Sequence, residues 1–430
     1  MAIASKFKIL LSDKSLRSSI LFVLAMLAVF RLAAHIPVPG IDSSSLRDLF
    51  AGNDVLGLLN LFTGGGIENF SIVALGIGPY ITSSIIFQLL VMTIPRLQEL
   101  QKEGEYGQKK INQYTRLLSI PLAYLQGYGL IALLRGGGSG TASGLLGSTS
   151  FIEMASLLTI LAGGTIFLMW LGELITEKNV GNGISLLIFA GIVSGIPTTL
   201  QRMFISFDQS QLVNLIIFAV IAIIVVAAIV FITEGQRNIP VSYAKRVRGN
   251  RMYGGVDTHL PLRVNQAGVI PIIFAISILL FPPVIARFFL SSGTAWLASM
   301  AQFVNDLFQN QAFFGSIYFV LVVAFTYFYT AVIFHPAQIA ENLQKQGGFI
   351  PGVRPGNHTA EYIGRVSNRI MLAGALFLGL IAVLPLAMQP IFGSSILVVG
   401  GTSLLIVVAV VIEIVKQINS QIEMRTYDHL

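Results

Sequence analysis

Six isoleucines recur beside residues that bend or thin a helix. Ile77 and Ile81 stand four apart around Pro79, and Ile184 and Ile188 stand four apart just after Gly181-Asn182-Gly183. Ile273 follows Pro271, and Ile406 follows Gly400-Gly401-Thr402-Ser403. A four-residue spacing puts each pair on one helix face. Ordinary span packing or lipid contact accounts for any one of them; only a shared constriction would make them functional. The residues of proton and ion transfer are nearly missing. Glu173, Arg287, Arg369 and Glu413 fall near the ends of apolar stretches, where snorkelling is cheap, and His35 and His335 stand at boundaries beside prolines. Arg31 lies deeper, and a helix-end snorkel or a neighbouring carbonyl accounts for it. Ionisable groups at mid-membrane would mark an ion path or proton relay, so their scarcity argues against an ion-coupled transporter. No Gly-x-x-x-x-Gly-Lys-Ser/Thr, His-Glu-x-x-His or Gly-x-Ser-x-Gly motif occurs, and no nucleophile with its base stands inside an apolar stretch. The expectation is therefore no enzyme, no cofactor and no metal, with any energy for work entering through a partner.

The elements that must position these residues are membrane helices. With 54% hydrophobic residues, 11% charged residues and a mean hydropathy of +0.78, the chain falls far below the charged share of about a quarter found in soluble domains. It has no Cys, which rules out disulfides and thiol chemistry. The basic N-terminus leads into an apolar run without a small-residue cleavage site, which reads as a retained first span. A span needs roughly 20 mostly apolar residues. Ten stretches qualify, at about residues 20–36, 72–94, 117–134, 154–175, 184–200, 212–232, 267–289, 313–334, 370–388 and 396–414.

An even number of spans puts both termini on one side. Of the 27 Lys and Arg, the opposite side holds only Arg47, Arg135, Arg202 and Arg287, with Arg31 inside the first span. By the positive-inside rule both termini are cytoplasmic. The outside loops, such as Gly136 to Ser150, are rich in Gly, Ser and Thr and read as plain connectors. Two inside loops, at about 234–266 and 335–367, are long, basic and punctuated by Pro and Gly. Basic loops can merely set orientation, but the length of these two and their aromatics Tyr243, Tyr253 and Phe349 favour docking of a large cytoplasmic partner. Five spans lie in residues 1–200 and five in 201–430, and two odd-numbered halves must run in opposite directions, as inverted repeats do. No residue-level repeat accompanies this geometry.

The second span follows a triple glycine, Gly64-Gly65-Gly66, with Glu68 and Asn69 close behind. A broken helix at membrane depth is tolerated only where protein buries it or it lines a wet cavity. The glycines also suit a flexible loop outside the bilayer.

Ten stretches stand out along nearly the whole chain. They begin with Ile36-Pro-Val-Pro-Gly-Ile-Asp42, Ala74-Leu-Gly-Ile-Gly-Pro-Tyr-Ile81, Lys102-Glu-Gly-Glu105, Gln113-Tyr-Thr-Arg116 and Phe167-Leu-Met-Trp-Leu-Gly-Glu173. They continue through Gly181-Asn-Gly-Ile-Ser185, Tyr243-Ala-Lys-Arg246, His259-Leu-Pro-Leu262, Pro351-Gly-Val-Arg-Pro-Gly356 and Gly400-Gly-Thr-Ser-Leu-Leu-Ile-Val-Val408. In these stretches the chain resembles the SecY family, channel subunits of the bacterial protein translocase. The resemblance implies an all-α polytopic membrane protein, with ten transmembrane helices in two inverted five-helix halves around a central hourglass pore. It implies a pore ring of Ile77, Ile81, Ile184, Ile188, Ile273 and Ile406; such a ring would shed water and block ions yet yield around a passing chain.

The resemblance further implies a plug at about residues 56–70, with Asn60, Phe62, Gly64, Gly65, Gly66, Glu68 and Asn69, the glycines serving as hinge. It implies a lateral gate where spans two and three part from seven and eight. Thr82, Ser83, Ser84 and Gln88 could line that seam or equally serve as helix-packing hydrogen bonds. Lys245, Arg246 and Arg354 match positions that the family uses to meet the ATPase motor SecA and the ribosome. The implied partners also include the subunits SecE and SecG, unfolded preproteins, signal sequences and membrane lipids, in a bacterial cell membrane. A small-solute transporter with inverted repeats is the alternative, and the missing mid-membrane acids weigh against it.

Overall fold

In a computed structural model, the described residues are 13–39, 65–67, 69–136, 150–205, 212–243, 246–248, 251–253, 257–290, 294–392 and 400–428. Each of the ten expected spans coincides with a helix. In the first half these are α1 (Lys14–Ala33), α2 (Gly78–Thr93), α4 (Glu105–Gly136), α5 (Phe151–Glu177) and α6 (Gly183–Ile205), with the short α3 (Pro95–Lys102) after α2. In the second half they are α7 (Leu212–Glu234), α8 (Ile270–Leu290), α10 (Gln311–Ile333), α12 (Asn357–Phe392) and α13 (Gly400–Asp428), with the shorter α9 (Ala295–Gln309) and α11 (Pro336–Lys345) between them.

Among the described residues, six helical stretches are each long and apolar enough to cross a bilayer, and α2 and α3, bent by 100° at their junction, qualify as a pair. The bend sits at Ile94-Pro95, where proline opens α3 at a position whose N–H has no helical partner. The other three expected spans are α4, lengthened by its charged first turns, and α6 and α8, whose apolar parts are Gly183–Pro197 and Ile270–Leu279.

The two halves repeat one plan. In the first, α2 packs on α4, α4 on α5, α5 on α6, and α1 on α5 and α6. Shifting every span by five gives α8 on α10, α10 on α12, α12 on α13, and α7 on α12 and α13, and these pairs all pack. The halves meet at two edges, α8 against α2 and α4, and α13 against α6. The last five spans thus repeat the packing plan of the first five.

Outside the spans the chain is not all helical. The stretch 234–266 holds β1 (Gln236–Tyr243), β2 (Arg246–Arg248), β3 (Arg251–Tyr253) and β4 (Asp257–Arg263), with β1 and β4 antiparallel from Gln236↔Arg263 to Ser242↔Asp257. A third strand, β5 (Gly348–Phe349), comes from the other long loop and pairs with Ser242 and Tyr243, giving the order β4-β1-β5. Ile239, Val241, Leu262, Ile350 and Ile363 make its buried core. The two loops read separately in the sequence are therefore one platform. The outside loops also differ from plain connectors, since residues 295–309 form α9.

Candidate functional site

The Gly181-Asn182-Gly183 turn explains how α6 presents its isoleucines. A Cβ on Gly183 would lie 1.8 Å from the Gly172 carbonyl oxygen, so glycine alone lets the hairpin between α5 and α6 close this tightly. The Gly183 N–H donates to Thr176 Oγ1 at 2.9 Å, and Asn182 Oδ1 accepts from the Ile184 and Ser185 N–H groups at 3.1 and 3.3 Å. This N-cap satisfies the orphan donors of α6 and starts the helix so that Ile184 and Ile188 share a face. Pro271 sits in the first turn of α8, where its missing N–H costs nothing, and Ile273 follows it.

On the second span the helix begins later than expected. Residues 72–77 are successive turns, and Ile77 is the N-cap of α2, because Gly76 adopts φ +58° and Pro79 fits the first helical turn. All six isoleucines fall in one apolar cluster: Ile77, Ile188, Ile273 and Ile406 are buried in it, and Ile81 and Ile184 pack against it partly buried. They come from α2, α6, α8 and α13, two helices from each half. The six thus share one location, together with buried residues of α1 and α5 such as Phe30 and Leu168.

The segment before α2 is folded and anchored. The Ile72 N–H donates to the Ile36 carbonyl at 3.0 Å, and the Val38 N–H to the Phe70 carbonyl at 2.9 Å, tying the segment to the end of α1. Gly65 takes φ +80°, a left-handed turn that glycine adopts freely. Ile67 and Phe70 are buried with Leu130, Ile131, Leu157 and Leu161 of α4 and α5. Of the expected plug, Gly65, Gly66 and Asn69 belong to this turn, and the Arg31 guanidinium lies 3.8 Å from where a Gly65 Cβ would stand. Asn60, Phe62, Gly64 and Glu68 lie outside the described residues.

Of the four polar residues of α2 expected at the seam, two are engaged away from α8. The Ser83 hydroxyl donates to the Thr115 carbonyl at 2.6 Å, and Gln126 Nε2 donates to Thr82 Oγ1 at 3.2 Å, so both join α2 to α4. Thr82 also donates to the Gly78 carbonyl. Gln88 Nε2 donates to Ser84 Oγ at 3.2 Å along α2 itself. Ser83→Ala should leave the Thr115 carbonyl with only its helical partner and destabilise the fold by about 1 kcal/mol. Thermal unfolding in detergent reads this, and a fully parent-like curve would show that the bond carries no net stability.

Glu173, expected to snorkel, instead pairs with Arg116 across α4 and α5 at 2.6 Å, and Glu234 pairs with Lys416 across α7 and α13 at 2.8 Å. Sequence reading missed both, because partners on different helices leave no spacing to read.

On the platform, the turn after β5 presents Arg354 exposed to solvent. Gly352 and Gly356 on either side take φ +82° and +94°, the Thr359 hydroxyl donates to the Arg354 carbonyl at 2.9 Å, and the neighbouring Ile350 is buried in the platform core. On α11, Lys345 hydrogen-bonded to Glu341 at 2.8 Å holds that carboxyl under its ordinary range. Arg246 lies in β2 opposite Tyr253, and Lys245 lies outside the described residues. Among the described residues no cluster of His, Asp or Glu could hold a metal ion.

Comparisons with known proteins agree along the chain. A model of the SecY family matches residues 71–415. A protein of Corynebacterium glutamicum described as protein translocase subunit SecY is 44% identical over 449 residues, covering 100% of this chain and 99% of its own. One of Streptomyces scabiei with the same description is 42% identical, covering 96% of each. Among solved structures, a protein-conducting channel aligns with TM-score 0.59 at 17% identity, covering 93% of this chain and 91% of its own. Sec61 in a canine ribosome–channel complex aligns with the same score, identity and coverage.

Proposed function

The chain belongs to the SecY family, and on that premise we propose how its parts divide the work of a protein-conducting channel. It is a multi-pass membrane protein and a channel subunit of the Sec translocase. Residues 1–200 and 201–430 act as two half-shells, and unfolded preproteins pass between them. The ring of Ile77, Ile81, Ile184, Ile188, Ile273 and Ile406 seals the path to ions, and its branched side chains give way to a polypeptide. The observation that carries this reading is that the six residues, drawn from four helices and both halves, share one apolar cluster.

The turns around Gly65 and Gly66 root the plug. The edge where α8 meets α2 and α4 is the lateral gate, through which signal sequences and membrane segments pass to lipid. Ser84 and Gln88 are its polar lining, while Thr82 and Ser83 keep α2 and α4 moving as one leaf.

Both termini and the β4-β1-β5 platform face the cytoplasm of a bacterial cell, where the platform receives the motor SecA or the ribosome. Lys245 and Arg246 on one loop and Arg354 on the other form the basic contact, and a guanidinium fixed between Pro351 and Pro355 is set for carboxylate or phosphate. SecE and SecG complete the membrane complex. The test places the chain with SecE in vesicles, adds SecA, ATP and an unfolded preprotein, and scores protease protection of the substrate. Protection should require both ATP and this chain, and Arg354→Glu should lower it by roughly tenfold or more. Parent-like transport by Arg354→Glu would refute the contact, and no protection with a competent motor would refute the channel reading.

A further inference from the structure

We propose that α9 lies along the surface of the bilayer, on the side away from the β platform, with Trp296, Met300 and Phe303 among the lipid acyl chains. Its sequence divides into three stripes. Trp296, Met300, Phe303 and Leu307 recur at the spacing of one helix face, and the first three are 66%, 57% and 62% exposed. Ser299, Gln302, Asp306 and Gln309 form a second, polar and exposed stripe. The third contains Leu297, Ala298, Ala301, Val304 and Phe308; Ala301 is buried, and Phe308 meets Phe313 of α10 edge-on at 5.8 Å between ring centres. At 3.6 residues per turn these stripes are centred about a third of a turn apart. A helix in water against protein needs two faces; a third, apolar and exposed, needs a third medium.

The chain connections say which medium that is. Asn310 is at once the C-cap of α9, donating its N–H to the Asp306 carbonyl, and the N-cap of α10, its Oδ1 accepting from the Ala312 and Phe313 N–H groups. At its other end, four residues link α8 to α9, so Leu290 and Ala295 stand at most about 18 Å apart. Both neighbours are spans ending at this surface, so α9 is held at the boundary between hydrocarbon and water. Aromatic rings favour that depth, and an amphipathic helix buries its apolar face there. The polar stripe carries Asp306 and neither Lys nor Arg, so the partner is the acyl region of any phospholipid rather than an anionic headgroup. Because α9 packs on α8, the lipid it holds sets the depth of the helix that supplies Ile273.

The chain has no cysteine of its own, so Met300→Cys and Gln302→Cys can each carry a single nitrobenzoxadiazole dye, with Trp296→Cys as a second position on the apolar stripe. The full chain is placed in phosphatidylcholine vesicles with cysteine-free copies of its partner subunits. Nitroxide-bearing lipid should quench the dye at 300 and 296 roughly twofold or more and spare it at 302, while aqueous iodide should do the reverse. Adding anionic lipid should leave the pattern unchanged. Equal iodide access at 300 and 302 would place α9 in water and overturn the proposal. Shielding of 300 and 296 from both quenchers would show that protein covers the stripe, a second copy or a partner subunit, and would overturn it equally.

Discussion

Ile81→Ser combined with Ile184→Ser should raise the ion conductance of the idle channel by about tenfold or more, because two hydroxyls would wet the proposed constriction that apolar walls keep dry. The choice of residues matters. Ile188 and Ile406 are buried to 3% and 1% exposure, and truncating such residues costs roughly 2–5 kcal/mol through the cavity left behind, which would confuse leak with unfolding. Ile81 and Ile184 pack against the same cluster only partly buried, so their hydroxyls reach the path while the fold keeps its core. The two residues also come from different helices, α2 and α6. The measurement is potassium efflux from vesicles, or single-channel recording in a planar bilayer, with thermal unfolding as the control for folding. A double variant as tight as the parent would sink the ring assignment. A variant with Ile81→Val and Ile184→Val keeps the wall apolar and should stay tight, which separates polarity from mere loss of volume.

What could be read beforehand followed from how far each signal reaches along the chain. Hydropathy is local, so the ten spans were visible and each is a helix. The glycines and prolines beside the isoleucines were also local, and they set where α2, α6 and α8 begin. Gly76 and Pro79 moved the start of the second helix to Gly78, a backbone event that composition does not record. Pairings between distant segments left no trace. Nothing in Ser242 and Tyr243 names Gly348 and Phe349 as strand partners, so the sequence presents two loops where the structure has one sheet. The hydroxyls of Thr82 and Ser83 fitted a seam or a packing bond equally well; the position of α4, through Gln126 and the Thr115 carbonyl, decided for packing. The stripes of α9 stand in the sequence at the right spacing, but 15 residues are too few to span a bilayer, and span-length hydropathy passes over them.

Gly164 shows the same limit with a larger consequence, and Gly164→Ala should destabilise the protein by about 2–4 kcal/mol. A Cβ at this position would lie 1.8 Å from the Ile72 carbonyl oxygen, 2.7 Å from its carbon and 3.3 Å from Val73 Cα. These are backbone atoms, so no rotamer change relieves the clash. Moving residues 71–73 away would strain the Ile72 N–H bond to the Ile36 carbonyl and the neighbouring bond from Val38 to Phe70. It would also pull Phe70 and Ala74 out of the cluster against α4 and α5. The adjacent Gly163 supplies the control, since a Cβ there meets nothing within 4 Å. Gly163→Ala should be neutral or slightly stabilising, as alanine is the better helix former. Thermal unfolding in detergent compares the two, and protease nicking within residues 65–77 reports release of the segment. Because that segment roots the proposed plug, Gly164→Ala should also raise the idle ion leak, whereas Gly163→Ala should not. Equal stability of the two variants would mean that α5 and the turn before α2 do not approach so closely, and the anchoring of the plug would lose its physical basis.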